Sequence, residues 1–211
     1  MRTIALLLLS CACATTTSNQ TPKGGPRGLH ADEHLVAARQ HDEQAFQTAR
    51  WPDRNAGTDS IMIPWTRSWN PGDHERAAAV HRSKADELHA AYSDACGSRP
   101  LAEVSVSPLQ RYGVGGWDTQ AGVIMYLDVK AGDPEQLLAD LKCHRAWMML
   151  SDAGMESCPL DLPGIQVDAR GDAEGITLSI NIRDPKLVGE LHRRAAAELE
   201  AGARLRATPA R

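Results

Sequence analysis

GVIMYLDVKAGDPEQLLADLKCHRAWMML, residues 122–150, carries the change of period on which the fold turns. Val123, Met125, Leu127 and Val129 alternate with Ile124, Tyr126 and Asp128, the two-residue period of a strand with one face buried more deeply. Asp133-Pro134 then supplies an N-cap and a first-turn proline, and a helix runs to about Leu150 with Leu137, Leu141, His144 and Met148 on one face. Downstream the same grammar repeats. Ile165, Val167 and Ala169 mark a second strand, and Ile176, Leu178, Ile180 and Ile182 a third, joined through Gly171–Gly175 as a hairpin. Asp184-Pro185 opens another helix with Leu187, Leu191 and Ala195 inward. The order β-α-β-β-α is the ferredoxin-like split arrangement without its last strand, and Val104–Ser107 is expected at the vacant sheet edge.

Upstream of this half the period is helical. His30–Arg50 contains no internal Pro or Gly and ends before Trp51-Pro52. Residues 51–72 hold three Trp and three Pro and read as an ordered connection. Pro71-Gly72-Asp73 opens a second helix to about Cys96, where Gly97 and Pro100 stop it. The sequence therefore predicts an α+β protein, with an antiparallel helical hairpin over residues 29–100 and an antiparallel-sheet half over 101–202. The hairpin is expected on the open sheet face or to one side, and residues 203–211 as a frayed tail.

Six of the eight histidines lie in the hairpin. Turning about 100° per residue, His34 and His41 fall about 40° and 20° from His30 on the first helix. On the second, His81 and His89 fall about −20° and 60° from His74. That second stripe coincides with the apolar stripe of Ala78, Ala85, Leu88, Tyr92 and Cys96, so these rings point inward; the first borders a face of Leu35, Ala38, Phe46 and Ala49. Antiparallel helices bring His41 near His74, and His34 near His81 or His89. Neutral imidazole is a common ligand of zinc, copper and nickel, and a pair on one helix face can be completed from a facing helix. The hairpin is expected to bind one of these ions through His30, His34, His41, His74, His81 and His89, with Asp32, Glu33, Asp42, Asp73 and Glu75 as neighbouring carboxylates. The competing reading is a structural seam whose histidines hydrogen-bond across it.

Other chemistry is thinner. His30-Ala31-Asp32-Glu33-His34 matches H-x-x-E-H, in which two histidines hold zinc and the Glu acts as general base, but the window for a further ligand offers only Glu103. A non-catalytic protein is therefore expected. Cys143, His144, Met148, Met149, Met155 and Cys158 form an alternative soft copper(I) set, against which methionine as core filling weighs heavily.

The first residues give an address. Met1-Arg2 and the apolar run Ile4–Leu9 precede Leu8-Leu9-Ser10-Cys11, which resembles the lipobox of bacterial lipoproteins. The resemblance implies cleavage after residue 10, a lipid on Cys11 and, from Ala12, transfer to the outer membrane. Residues 11–28, rich in Thr, Ser, Pro and Gly, read as a flexible tether. No other stretch approaches the roughly 20 apolar residues of a spanning helix, so a soluble body outside the cytoplasm is expected. Expected partners are the membrane, through the lipid, and an envelope protein. A net charge of −4 offers no basic face for nucleic acid.

Export into an oxidising compartment favours a disulfide among Cys96, Cys143 and Cys158. Cys143 with Cys158 is the first expectation, because the Pro- and Gly-containing segment between helix and strand can close a loop there; Cys96 remains open as a partner. From Asp73-His74 and His81-Arg82 through Ala95-Cys96, Cys143-His144-Arg145 and Cys158-Pro159-Leu160 to the final Asp-Pro helix, the chain resembles a group of His-rich secreted bacterial proteins without established activity. That resemblance implies the domain layout and no function.

Overall fold

The structure, a computed structural model, describes residues 28–50, 70–150 and 157–207. Cys11, most of the tether, the tryptophan-rich connection and Met155 lie outside them. Two long helices come first, α1 (Ala31–Arg50) and α2 (Pro71–Cys96), followed by the short α3 (Leu101–Val104) and α4 (Pro108–Tyr112). Strands β1 (Gly113–Asp118) and β2 (Gly122–Leu127) precede α5 (Pro134–Met148); β3 (Ile165–Asp172) and β4 (Gly175–Ile182) precede α6 (Val188–Ala207).

The sheet is antiparallel throughout, in the order β1-β2-β4-β3. Strands β2, β4 and β3 hold the places that a split β-α-β-β-α unit dictates, since the crossover through α5 returns the chain to a strand, β3, that is parallel and not adjacent to β2. The fourth place is taken by β1 and not by Val104–Ser107. Val104 ends α3, and the Ser107 hydroxyl caps α4 by accepting from the Leu109 N–H, which commits that stretch to helical turns.

The starts of α2 and α5 follow their caps. Asp133 accepts from the Gln136 N–H ahead of Pro134, and Asn70 and Asp73 form a reciprocal capping box ahead of α2. In the β3–β4 turn, Asp172 accepts from the N–H groups of Glu174 and Gly175. Gly175 has φ +145°, and a Cβ there would lie 2.3 Å from the Leu127 carbonyl oxygen, so the close approach of β4 to β2 needs glycine.

The core lies between one sheet face and α5 with α6. Val123, Met125 and Leu127 from β2, and Ile176, Leu178 and Ile180 from β4, meet Leu137, Leu141, Leu191 and Ala195, all buried. The α6 helix runs beyond the expected end at Gly202, to Ala207. Gly202 is itself buried, because only a residue without a Cβ lets the Gln110 carbonyl oxygen this close: an added carbon would sit 2.2 Å away.

The helical hairpin stands to one side, with α2 against α5. Two connections fix it. The disulfide joins Cys96 at the end of α2 to Cys143 on α5, and Cys158 is a buried thiol outside that bond. This corrects the expected Cys143–Cys158 pairing: Cys143 does leave the core-facing stripe of α5, but toward α2, while Cys158 packs in the main core. With Cys143 oxidised, the soft copper(I) set loses one of its thiolates. The second connection joins helix ends: the N–H groups of Ala31 and Asp32 donate to the carbonyls of Met149 and Leu150 at 2.9 and 3.0 Å. Orphan donors of one helix start thereby satisfy acceptors just past another helix end. Among the described residues no helix is long and apolar enough to cross a membrane.

Candidate metal centre in the helical hairpin

The seam between α1 and α2 is built on a seven-residue repeat. Ala31, Ala38 and Ala45 are buried on α1, and Ala78 and Ala85 on α2. Between these alanine layers stand His34 and His41 on α1 and His74 and His81 on α2, all half-buried. Alanine lets the helix backbones approach closely, and that proximity brings the rings together. Each buried methyl contributes about 0.8 kcal/mol, so an alanine seam is weakly held for two helices of this length. Leu35 and Phe46, expected to form the apolar face that the histidine stripe borders, are instead 38 % and 58 % exposed, because the close seam leaves room inside only for alanine and imidazole.

Antiparallel register then decides the pairs, since seven residues forward on α1 correspond to seven back on α2. His34 Nδ1 lies 2.8 Å from His81 Nδ1, and His41 Nδ1 lies 3.2 Å from His74 Nδ1. The His41 and His81 rings stack, with centroids 5.6 Å apart and planes 21° from parallel, so the four imidazoles form one continuous row. Two facing Nδ1 atoms make a hydrogen bond only if one carries a proton and the other presents a lone pair. Each pair therefore holds at least one neutral ring. Burial first, and then the charges of His34 and His41, push the His81 pKa below its ordinary value.

The remaining sequence candidates lie elsewhere. His89 is exposed, about two turns past the paired row, where its backbone carbonyl accepts from the Ser93 hydroxyl. His30 is at the base of the hairpin, and its ring Nδ1 lies 3.1 Å from Glu33 Oε2, which also accepts the His30 backbone N–H. The H-x-x-E-H stretch is thus split between two uses: Glu33 and His30 close the helix start, while His34 turns to His81. Among the expected carboxylates, Asp42 accepts from Arg82 at 2.8 Å across the hairpin, and Asp73 serves the α2 cap and Arg76.

Among the described residues, no three His, Cys, Asp or Glu side chains converge as a ready ligand sphere. What the row offers is two clamps of two nitrogens each. Zinc–imidazole bonds of about 2.0–2.1 Å place two tetrahedral ligand nitrogens about 3.3 Å apart, and a square-planar ion places them slightly closer. The clamp spacings of 2.8 and 3.2 Å lie within about half an ångström of that requirement.

Two further histidines are structural. His144 Nδ1 donates to the Val104 carbonyl at 2.7 Å, which leaves Nε2 as the acceptor facing the Cys158 thiol 4.0 Å away. His192 Nε2 donates to the carbonyls of Gly122 and Thr119 at 2.7 and 3.2 Å, fastening the β1–β2 turn to α6. Sequence reasoning missed that fastening and the Arg82–Asp42 bridge. The only available signal for the bridge was that each partner directly follows a paired histidine, at 81 and at 41.

Fold and site together define a disulfide-bonded α+β protein with a histidine-paired antiparallel helical hairpin. No family model, no curated protein and no solved structure matches the chain, so the geometry itself carries the functional reading.

Proposed function

We propose that this chain is an exported, non-catalytic lipoprotein whose hairpin takes up copper, zinc or nickel for buffering, sensing or delivery. The observation that carries the reading is the pair of Nδ1–Nδ1 contacts, His34–His81 and His41–His74. An ion entering a clamp replaces the shared proton, draws both rings into their Nε2–H tautomers and completes its coordination with water. Two protein ligands per ion give exchangeable binding, as a buffer or delivery protein requires. The Leu8-Leu9-Ser10-Cys11 signal supports lipid attachment, and a disulfide is a bond that persists outside the cytoplasm. A second reading, a structural or partner-binding envelope protein, draws on the same contacts, since the pairs already satisfy one another.

Titration of chelator-treated protein with copper, zinc and nickel decides between them. Metal binding predicts that alanine at His34, His41, His74 or His81 weakens affinity at least tenfold, while alanine at His89 or His192 changes it by less than about twofold. Equal losses at all six positions, or weak and unselective binding by the native chain, select the structural reading.

A further inference from the structure

We propose that β3 is a dimer edge: it pairs antiparallel with β3 of a second copy of this chain, about a twofold axis at Ala169. Among the described residues β3 is an outer strand of the sheet, with β4 on one side and no strand on the other. An outer strand presents a row of unpaired backbone N–H and C=O groups, and such edges are ordinarily blunted by bulges, prolines or short length. The opposite edge, β1, is blunted. Its register shifts between Gly113 and Gly115, and three of its six residues are glycine. By contrast β3 pairs with β4 over eight residues, Ile165 to Asp172, with no shift and no proline.

Backbone geometry fixes which groups this edge offers. The Ile182 N–H donates to the Ala121 carbonyl, and successive residues of a strand turn their backbone groups to alternate sides. Ile176, Leu178 and Ile180 therefore bond to β2, while Thr177, Ser179 and Asn181 bond to β3. In the β3–β4 register the partners of those three are Arg170, Asp168 and Gln166. The groups left for the free edge are those of Ile165, Val167, Ala169 and Gly171.

Self-pairing about Ala169 sets Ala169 against Ala169 and Val167 against Gly171, each a hydrogen-bonded pair made from outward groups of both copies. Between them Asp168 of one copy stands opposite Arg170 of the other, twice, in the closer, non-hydrogen-bonded position. Both side chains are exposed, alternate with core-packed Val167 and Ala169, and enter no ion pair among the described residues. Moving the axis one residue to Asp168 opposes that carboxylate to itself. Moving it to Arg170 opposes Arg170 to itself and Asp168 to Asp172, twice. The charges of this strand thus accept one register and reject its neighbours. They are complementary to themselves, which selects a second copy over a foreign strand as the occupant. The joined sheet runs β1-β2-β4-β3-β3-β4-β2-β1. No residue of the hairpin takes part, so the pairing goes beyond the metal reading and is independent of it.

Sedimentation equilibrium of the full chain with Cys11→Ser, in excess chelator, tests the pairing without lipid-driven or metal-bridged association. The chain is expected to pass from monomer to dimer between roughly 1 and 200 μM, as a small interface does. Asp168→Arg and Arg170→Asp each oppose like charges and are expected to weaken the dimer about tenfold or more. Asp168→Arg together with Arg170→Asp exchanges the charges and is expected to recover the native affinity. Ala169→Pro removes an outward N–H that the monomer does not use, and is expected to abolish the dimer with circular dichroism unchanged. Should that variant not fold, the charge variants decide alone. A monomer throughout the range overturns the proposal, as does a dimer that the single charge variants leave intact or that the double variant fails to recover. Failure of the chelator-treated protein to bind metal defeats the metal reading alone and leaves this outcome intact.

Discussion

Glu198 lies between α6 and α4, 1 % exposed, with Gln110 Nε2 donating to Oε1 at 3.2 Å and no well-formed bond to Oε2 among the described residues. Burial raises its pKa, and contacts with Ser107 and Gln110 offset only part of that rise. A carboxyl whose folded pKa is raised folds best protonated, so its contribution is present below its ordinary pKa and is lost as pH rises through the raised value. Glu198→Gln is therefore expected to stabilise the protein by about 1 to 2 kcal/mol at pH 8 and to change little at pH 4, read from urea midpoints. His81 has the opposite sign. Its lowered pKa gives a contribution that is complete above its ordinary value of 6.5 and lost as pH falls below it. The histidine pairs were legible because 3.6-residue geometry fixes which side chains share a helix face. Glu198 was not, because Ala-Glu-Leu-Glu reads as a solvated helix face until Gly202 lets α4 pack against it.

Helices and strands were legible where caps and period agree. A helix from Pro71-Gly72-Asp73 to about Cys96, stopped by Gly97 and Pro100, was expected, and α2 spans Pro71–Cys96 with Asn70 as its cap. β1 escaped notice because Gly113, Gly115 and Gly116 carry no β propensity; a Cβ at Gly116 would lie 2.4 Å from the Ile124 carbonyl oxygen, so pairing with β2 requires the very residue that hides the strand. The disulfide belongs to this scale as well, since it joins α2 to α5 across a separation of 47 residues. Loop-closure entropy for such a loop is worth about 4 kcal/mol, so Cys96→Ser is expected to lower stability by up to about that amount. Cys158→Ser is expected to cost far less. Peptide mapping without reduction checks the pairing directly: Cys96 and Cys143 are expected in one linked fragment, with Cys158 alkylated only after denaturation.

For the whole molecule, the proposed function calls for a body outside the cytoplasm that presents its hairpin from a lipid on Cys11. Labelled palmitate is expected to enter the native chain and not Cys11→Ser, and the variant is expected to move from the membrane to the soluble fraction; label in both would place attachment elsewhere. What the sequence determined by itself is everything that rests on periodicity and short-range stereochemistry. The α+β division, the split β-α-β-β-α order, the Asp-Pro helix starts and the facing histidine stripes all belong there, since a helix or strand sets its own faces. Tertiary structure alone decided which of two admissible cysteines meets Cys143, which strand fills the sheet edge, and that α2 rests on α5. Tertiary structure also selected His81 over His89 as the partner of His34. These outcomes depend on distances between elements remote in sequence, where alanine and glycine, through the side chains they lack, set how closely backbones approach.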